Sequence, residues 1–182
     1  MTSTLLFGGT FDPVHNGHVE VPLAAMQHLG FDRGLYVPAN IAPLKEDAPT
    51  PSSHRLAMLQ LALGDSPWAE ISTIELDREG TSYTIDTLEA LHTEGDSIRL
   101  LIGADQWQQF QSWKRWDEII ELADPVVMPR EGYAIDHERI LPVRPLTATS
   151  TDIRTFVRDG ASIEPLVDPR VAAYITKHNL YR

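Results

Sequence analysis

The chain of 182 residues is long enough for one domain with a substantial core, and its composition, 42% hydrophobic and 23% charged, is ordinary for a globular protein. It contains no cysteine, which excludes disulfides, thiolate metal sites and a cysteine nucleophile. The net charge of -11 argues against broad nucleic-acid binding, although a local cluster of cations can still hold a small anion on an acidic protein.

Short apolar segments alternate with segments of helical spacing along most of the chain. Strands are predicted at residues 4–7, 34–37, 70–74, 98–102 and 125–128. Helices are predicted at residues 18–29, 53–63, 83–92 and 113–122. This alternation predicts an α/β fold, Rossmann-like and doubly wound, with a mostly parallel sheet. No apolar run approaches the roughly 20 residues of a membrane span, and the first residues do not resemble a secretory signal, so we expect a cytoplasmic protein.

The pattern changes after Pro145, where two helices are predicted at residues 150–158 and 169–178. Ser150 is the expected N-cap of the first, and Asp168 followed by Pro169 supplies the cap and first turn of the second. The chain shows neither repeats nor a linker. We therefore expect one domain over residues 1–182, with a helical part from about 146 to 182. The proline-rich stretch at 38–51 predicts a long loop, and long loops in compact domains are often functional.

The most informative stretch is GGTFDPVHNGH, from Gly8 to His18, which follows the first predicted strand. Paired glycines allow a tight turn and a close approach of the backbone to an anion. The helix that follows would point its free N–H groups and positive dipole end at that anion. His15 and His18 are three residues apart and so face one volume, where imidazoles can donate to phosphate oxygens. The stretch therefore favours a phosphate-binding turn.

Two other interpretations use the same residues. A zinc site would use the paired histidines, with Asp12 as a third ligand, but the sequence offers no further clustered ligands. A structural turn would bury the histidines as packing groups. The combination of Gly, Asp-Pro, His, Gly and His within eleven residues favours the phosphate site over both.

The stretch GGTFDPVHNGH resembles the signature of the HxGH nucleotidyltransferase superfamily, and within it the bacterial nicotinate-nucleotide adenylyltransferases. The resemblance covers nearly the whole chain in order, through VPANIAPLK, HRLAML, SYTIDTL, IGADQWQQFQSWKRW, PREGY, STDIR and VAAYITKHNLYR. It implies an enzyme of NAD biosynthesis that joins nicotinate mononucleotide and ATP to give deamido-NAD and pyrophosphate. Mg²⁺ would be bound through the ATP phosphates, with no protein metal site.

The resemblance also implies roles for particular residues. The catalytic residues would be His15, His18, Lys45 and Arg154, with His18 nearest the α-phosphate and Lys45 at the leaving triphosphate. ATP would contact a set drawn from the first turn and the STDIR helix: Gly8, Gly9, Thr10, Phe11, His15, His18, Ser150, Thr151, Ile153 and Arg154. The second substrate would contact Asn40, Tyr83, Thr84, Asp105, Trp113 and Arg130, with Trp113 stacked on the pyridine ring.

Each assignment has a structural alternative. Arg154 could form a surface salt bridge, Lys45 could be a solvated loop lysine, and Asp105 could be a helix cap. Trp113 is one of four tryptophans that could serve the core. The chain also departs from the family pattern, since Leu44 stands where histidine is usual and Ala148 and Thr149 stand where isoleucine and serine are usual.

Other functions remain open at this stage. A sister adenylyltransferase acting on nicotinamide mononucleotide or phosphopantetheine would share the HxGH turn and the STDIR helix. A nucleotide-binding sensor without turnover would fit the departure at Leu44, and a metal hydrolase would use the histidine pair with zinc. The sequence leaves a homo-oligomer open and gives no indication of a nucleic-acid or membrane partner.

Overall fold

The computed structural model describes residues 3–40, 49–92, 97–133, 139–143 and 148–182. The strands are β1 (Ser3–Gly9), β2 (Arg33–Pro38), β3 (Ala69–Ile71), β4 (Ser97–Gly103) and β5 (Val126–Met128). The helices are α1 (Gly17–Leu29), α2 (Ser52–Leu63), α3 (Thr84–Leu91), α4 (Ala104–Gln108), α5 (Trp116–Ala123), α6 (Ser150–Arg158) and α7 (Pro169–Lys177). None of the helices within these ranges has the length and apolar character needed to cross a membrane.

The five strands form one parallel sheet in the order β3-β2-β1-β4-β5. Successive side chains of a strand point to opposite faces of the sheet, and both faces are covered here. Leu5 and Phe7 pack with α1, α2, α6 and α7 on one face, whereas Leu6 packs with α3, α4 and α5 on the other. The predicted doubly wound α/β fold is confirmed, and the C-terminal helices are part of one of its layers.

The strand order places a topological switch point between β1 and β4, the first strands of the two halves. Ligands in open α/β sheets bind in the crevice at the carboxyl ends of the strands beside such a point. Here β1 ends at Gly8-Gly9 and β4 ends at Gly103. The fold therefore brings the glycine turn identified in the sequence to the usual ligand position.

Some element boundaries differ from the prediction. The helix predicted from residue 113 begins at Trp116, because Arg115 has a left-handed backbone (φ 54°) and a 3₁₀ turn, Phe110–Ser112, precedes it. The short helix Ala104–Gln108 was not predicted. β3 ends at Ile71, three residues before the predicted end at 74.

Candidate active site

One large cavity, of about 1090 Å³, opens at the carboxyl ends of β1 and β4. Its volume is comparable to the upper end of ordinary ligand pockets. Of the residues predicted from the sequence, the lining residues are Gly8, Gly9, Thr10, Phe11, His15, His18, Tyr83, Thr84, Asp105, Trp113, Arg130, Ser150, Thr151 and Arg154. The tertiary structure thus brings together segments that lie more than a hundred residues apart.

Two of the other predicted residues, Ile153 and Asn40, lie outside the cavity lining. Ile153 is fully buried in the core, and its N–H donates to the carbonyl of Thr149. Its side chain supports α6 and does not reach the cavity. Asn40 is half-buried and donates from Nδ2 to the Arg78 carbonyl at 3.1 Å, away from the cavity lining. Lys45 and Leu44 lie outside the described residues.

The turn after β1 is built around Phe11, which has a left-handed backbone (φ 50°) and is 2% exposed. Its ring stands edge-on to Phe7 at 5.5 Å and to His18 at 5.2 Å between centroids. A Cβ at Gly9 would lie 3.1 Å from the Phe11 ring, a tighter contact than most Cβ atoms make, so glycine lets the ring pack here without displacement. The apolar ring thereby holds the turn and one face of His18.

The two histidines face one another. Their rings are stacked with centroids 3.7 Å apart. The backbone N–H of His15 donates to Nδ1 of the His18 ring at 3.3 Å. His15 is 4% exposed, and its burial, assisted by the charge of Arg130, lowers its pKa to about 4 against a smaller opposing effect of Asp152. A neutral His15 at pH 7 follows, so its ring brings no positive charge against the His18 ring.

The helix α6 is tied to this turn at its N-terminus. Ser150 Oγ donates to the Pro13 carbonyl at 2.9 Å, and Arg154 Nη1 donates to the Asp12 carbonyl at 2.8 Å. The cap is Thr149, whose hydroxyl accepts from the Asp152 N–H, so the prediction of Ser150 as the N-cap was wrong. Thr149 has the extended backbone that a cap requires, while the Ser150 hydroxyl makes a tertiary contact.

The opposite wall of the cavity holds the aromatic and acidic groups. Trp113 lines the cavity and contacts Phe110 at 5.3 Å, whereas Trp107 and Trp116 do not line it. Asp105 Oδ2 pairs with Arg130 Nη1 at 2.5 Å, and its buried Oδ1 has no hydrogen-bond partner among the described residues. A Cβ at Gly103 would lie 2.5 Å from that Oδ1, so glycine at the end of β4 leaves room for the carboxylate.

Sequence reasoning missed several polar residues of the cavity. Lys114 Nζ lies 4.6 Å from the centroid of the Tyr83 ring and pairs with Asp86. The scarcity of lysine in this chain was a usable signal for it.

The cavity also contains buried carboxylates. Glu75 is 8% exposed and accepts from Thr87 Oγ1 at 2.8 Å, and its burial raises its pKa. Asp12, which the sequence suggested only as a possible zinc ligand, is buried within the turn that follows β1. Within the described ranges, no group of three or more His, Cys, Asp or Glu is arranged to hold a metal ion.

Comparison with known proteins identifies the family. The model of the cytidylyltransferase-like family matches residues 6–156. A Roseiflexus sp. (strain RS-1) protein named "Probable nicotinate-nucleotide adenylyltransferase" is 39% identical over 192 residues, covering 97% of this chain and 96% of the relative. A Thermus thermophilus protein of the same name is 38% identical, covering 97% of this chain and 98% of the relative.

A solved structure agrees with this at the level of the fold. The Plasmodium falciparum nicotinic acid mononucleotide adenylyltransferase, determined as a complex with NaAD, superposes with a TM-score of 0.84. Its sequence identity is 19%, and the match covers 100% of this chain and 98% of the other. The chain belongs to the cytidylyltransferase-like family and, within it, to the nicotinate-nucleotide adenylyltransferases.

Proposed function

We propose that this protein transfers the adenylyl group of ATP to nicotinate mononucleotide, forming deamido-NAD and releasing pyrophosphate, as a step of NAD biosynthesis. One observation carries the proposal: a single cavity is lined by the HxGH turn, by the N-terminal residues of α6 and by an aromatic wall that contains Tyr83 and Trp113. The names of the relatives support the same reaction. The location proposed for the enzyme is the cytoplasm, where ATP is made and used.

The chemistry needs little from the protein beyond positioning and charge neutralisation. The second pKa of a phosphate monoester is about 6, so the attacking phosphate is already ionised at pH 7. Its oxygen attacks the α-phosphorus of ATP, the bond from that phosphorus to the bridging oxygen breaks, and pyrophosphate leaves with the electron pair. We therefore assign no general base and no covalent enzyme intermediate.

The ATP side of the cavity would be formed by the first turn and α6. Gly8, Gly9 and Thr10 bring backbone close to the phosphates, and Arg154 supplies a planar cation. His18 would donate an imidazole N–H to the α-phosphate as charge develops there. His15 fits the role of a neutral donor, since its lowered pKa of about 4 excludes a permanent positive charge at pH 7. Lys45 is proposed to contact the β- and γ-phosphates, which leave as pyrophosphate.

The nicotinate side would be formed by α3 and the segment after α4. Trp113 is proposed to stack on the pyridine ring, which by analogy with base stacking is worth about 1–3 kcal/mol. Backbone N–H groups at Tyr83 and Thr84, near the start of α3, would favour a carboxylate over a neutral amide. Asp105 and Arg130 are proposed to hold the ribose and phosphate groups. Asn40, which lies outside the cavity lining, is proposed to support the nicotinate side of the site.

Mg²⁺ would enter with ATP and neutralise the charge of the departing pyrophosphate. The donor set of the cavity fits an ion that keeps most of its waters, since the lining carboxylates Asp12, Glu75 and Asp105 come from separate segments. Asp12 has both oxygens engaged by Tyr181 and Thr50, whereas Asp105 Oδ1 has no hydrogen-bond partner among the described residues and would be able to approach such an ion.

The test is pyrophosphate release from ATP and Mg²⁺, run in parallel with nicotinate mononucleotide, nicotinamide mononucleotide and phosphopantetheine. The His18→Ala variant, purified in the same way, controls for contaminating activity. We expect a preference for nicotinate mononucleotide of about tenfold or more, equal to about 1.4 kcal/mol of transition-state discrimination. Turnover with another acceptor would refute the substrate assignment, and ATP binding without turnover on any of the three would refute the reaction.

A further inference from the structure

The last residues of the chain turn back toward the cavity in an unfavourable backbone conformation. After α7 ends at Lys177, Asn179 (φ 51°) and Tyr181 (φ 64°) both have left-handed backbones. Asparagine adopts this region more readily than most residues with a Cβ, whereas a bulky residue such as tyrosine is an outlier there. Leu180 and Tyr181 pack against the core on the face that holds α1 and α7. Such an outlier persists only where surrounding contacts hold it in place.

The Tyr181 hydroxyl donates to Asp12 Oδ1 at 2.6 Å. Asp12 is 8% exposed and lies in the cavity wall between Phe11 and the histidine pair. Its other oxygen accepts from the Thr50 N–H at 3.0 Å, and its carbonyl accepts from Arg154 Nη1 at 2.8 Å. Burial and the contact with Asp12 raise the pKa of Tyr181, so its hydroxyl stays protonated and acts as a donor at neutral pH.

A buried guanidinium completes this cluster. Arg55, in the HRLAML segment, is 1% exposed and donates to the carbonyls of Thr10, Ala39 and Thr50 at 2.7–2.8 Å. Its positive charge attracts Asp12. The turn that follows β1 is therefore fixed from two sides, by Arg55 through main-chain carbonyls and by Tyr181 through the Asp12 carboxylate.

A carboxylate in the wall of a phosphate cavity repels the phosphates, and here the charge of Arg55 offsets part of that repulsion while neutral donors fix the orientation of the carboxylate. Tyr181 and Thr50 engage one oxygen each. Without the Tyr181 hydroxyl, Asp12 would keep an unpaired buried oxygen, and its carbonyl, which holds Arg154, could shift with it. The effect would fall on the ATP side, because Tyr83 and Trp113 pack on the opposite face of the sheet.

We propose that Tyr181 is a positioning residue for adenylyl transfer, acting through Asp12 to hold the phosphate turn and Arg154. It touches no substrate itself, and the role assigned to it rests on the proposed function. The C-terminal segment would therefore contribute to the nucleotide site, although Tyr181 lies 169 residues from Asp12 in the sequence.

The test compares Tyr181→Phe with a matched control, Tyr174→Phe. Tyr174 also loses one hydroxyl contact, at 2.9 Å to His54 Nδ1, but it lies on α7 outside the cavity lining. Both variants are measured for Tm, kcat and the KM of each substrate. We expect Tyr181→Phe to lower kcat about tenfold or more, with the KM for nicotinate mononucleotide changed less than about twofold. The kcat of Tyr174→Phe should stay within about twofold of the parent.

A double variant tests the route through Asp12. Asp12→Ala alone should also lower kcat, and adding Tyr181→Phe to it should cost less than about twofold more, because the hydroxyl then has no side-chain acceptor at position 12. Multiplied losses would overturn the inference, as would equal kcat values for Tyr181→Phe and Tyr174→Phe. A parent chain that binds ATP without turnover would refute the proposed function instead. In that case the role of Tyr181 is tested by the Kd for ATP, which must rise in Tyr181→Phe and not in Tyr174→Phe.

Discussion

The rings of His15 and His18 are stacked with centroids 3.7 Å apart, and the backbone N–H of His15 donates to Nδ1 of the His18 ring. This contact joins the end of the phosphate turn to the first turn of α1. It also places a buried imidazole against a half-exposed one, so the two histidines have different tasks. His18 is proposed to donate to the α-phosphate, and His15 to contact the ATP phosphates beside it as a neutral donor.

Replacing His18 by alanine removes the proposed donor to the α-phosphate. We expect kcat to fall about 10²-fold or more, as for loss of a donor that stabilises developing charge. Steady-state kinetics with saturating ATP and nicotinate mononucleotide measures this. His28→Ala is the control, since His28 lies in the last turn of the same helix, outside the cavity lining. An unchanged kcat in His18→Ala would remove the residue from the mechanism.

His15 makes stability depend on pH. Its pKa is about 4 in the folded state against 6.5 unfolded, so the unfolded chain binds more protons between these values. The free energy of unfolding is therefore unaffected by His15 above pH 6.5. It falls by up to about 3 kcal/mol as the pH drops toward 4, because the unfolded chain then binds the extra proton. Glu75 has the opposite effect on the free energy of unfolding. Its pKa is raised in the folded state, so its contribution to stability is lost as the pH rises.

Urea unfolding of the parent chain and of His15→Gln at pH 7, 5.5 and 4.5 isolates the histidine. Because both chains contain Glu75, its contribution cancels in the difference. The free energy of unfolding should fall more steeply on acidification in the parent. Parallel curves would show that His15 keeps an ordinary pKa.

Arg154 is predicted to act on ATP through its guanidinium geometry. Arg154→Lys keeps a charge but loses the planar fork that bonds both Asp12 and Thr151, so we expect kcat/KM for ATP to fall about tenfold or more. Arg158→Lys, on the exposed last turn of α6, is the matched control and should leave it unchanged. An equal effect of the two substitutions would mean that Arg154 only contributes surface charge.

Trp113 is predicted to bind the pyridine ring. Trp113→Leu should raise the KM for nicotinate mononucleotide about tenfold, within the range expected for lost stacking, and leave the KM for ATP nearly unchanged. Trp68→Leu is the control, because Trp68 packs on Tyr36 at 6.1 Å between centroids and does not line the cavity. A matching rise in both KM values for Trp113→Leu would indicate a packing role.

The order of the strands and of every α-helix except α4, and the turn that follows β1, could be predicted from local sequence alone. Alternating apolar segments specify strands and helices because side-chain periodicity is a local property, and the prediction of Asp168 as the cap of α7 is confirmed. The glycines and histidines of residues 8–18 indicated a phosphate site because turn chemistry and helix N-terminal charge act over a few residues. The resemblance to a known family then supplied the role of each residue, which no local pattern gives.

Tertiary structure decided what depends on contacts between distant segments. The strand order β3-β2-β1-β4-β5 follows from how the helices pack on both faces, and it set the cavity at the ends of β1 and β4. Thr149 caps α6 because the Ser150 hydroxyl is engaged by the Pro13 carbonyl, 137 residues away. Tyr181 reaches Asp12 in the same way, through a left-handed turn that only the folded core stabilises. Such pairings have no local signal, since their free energy arises only when the two segments are buried together.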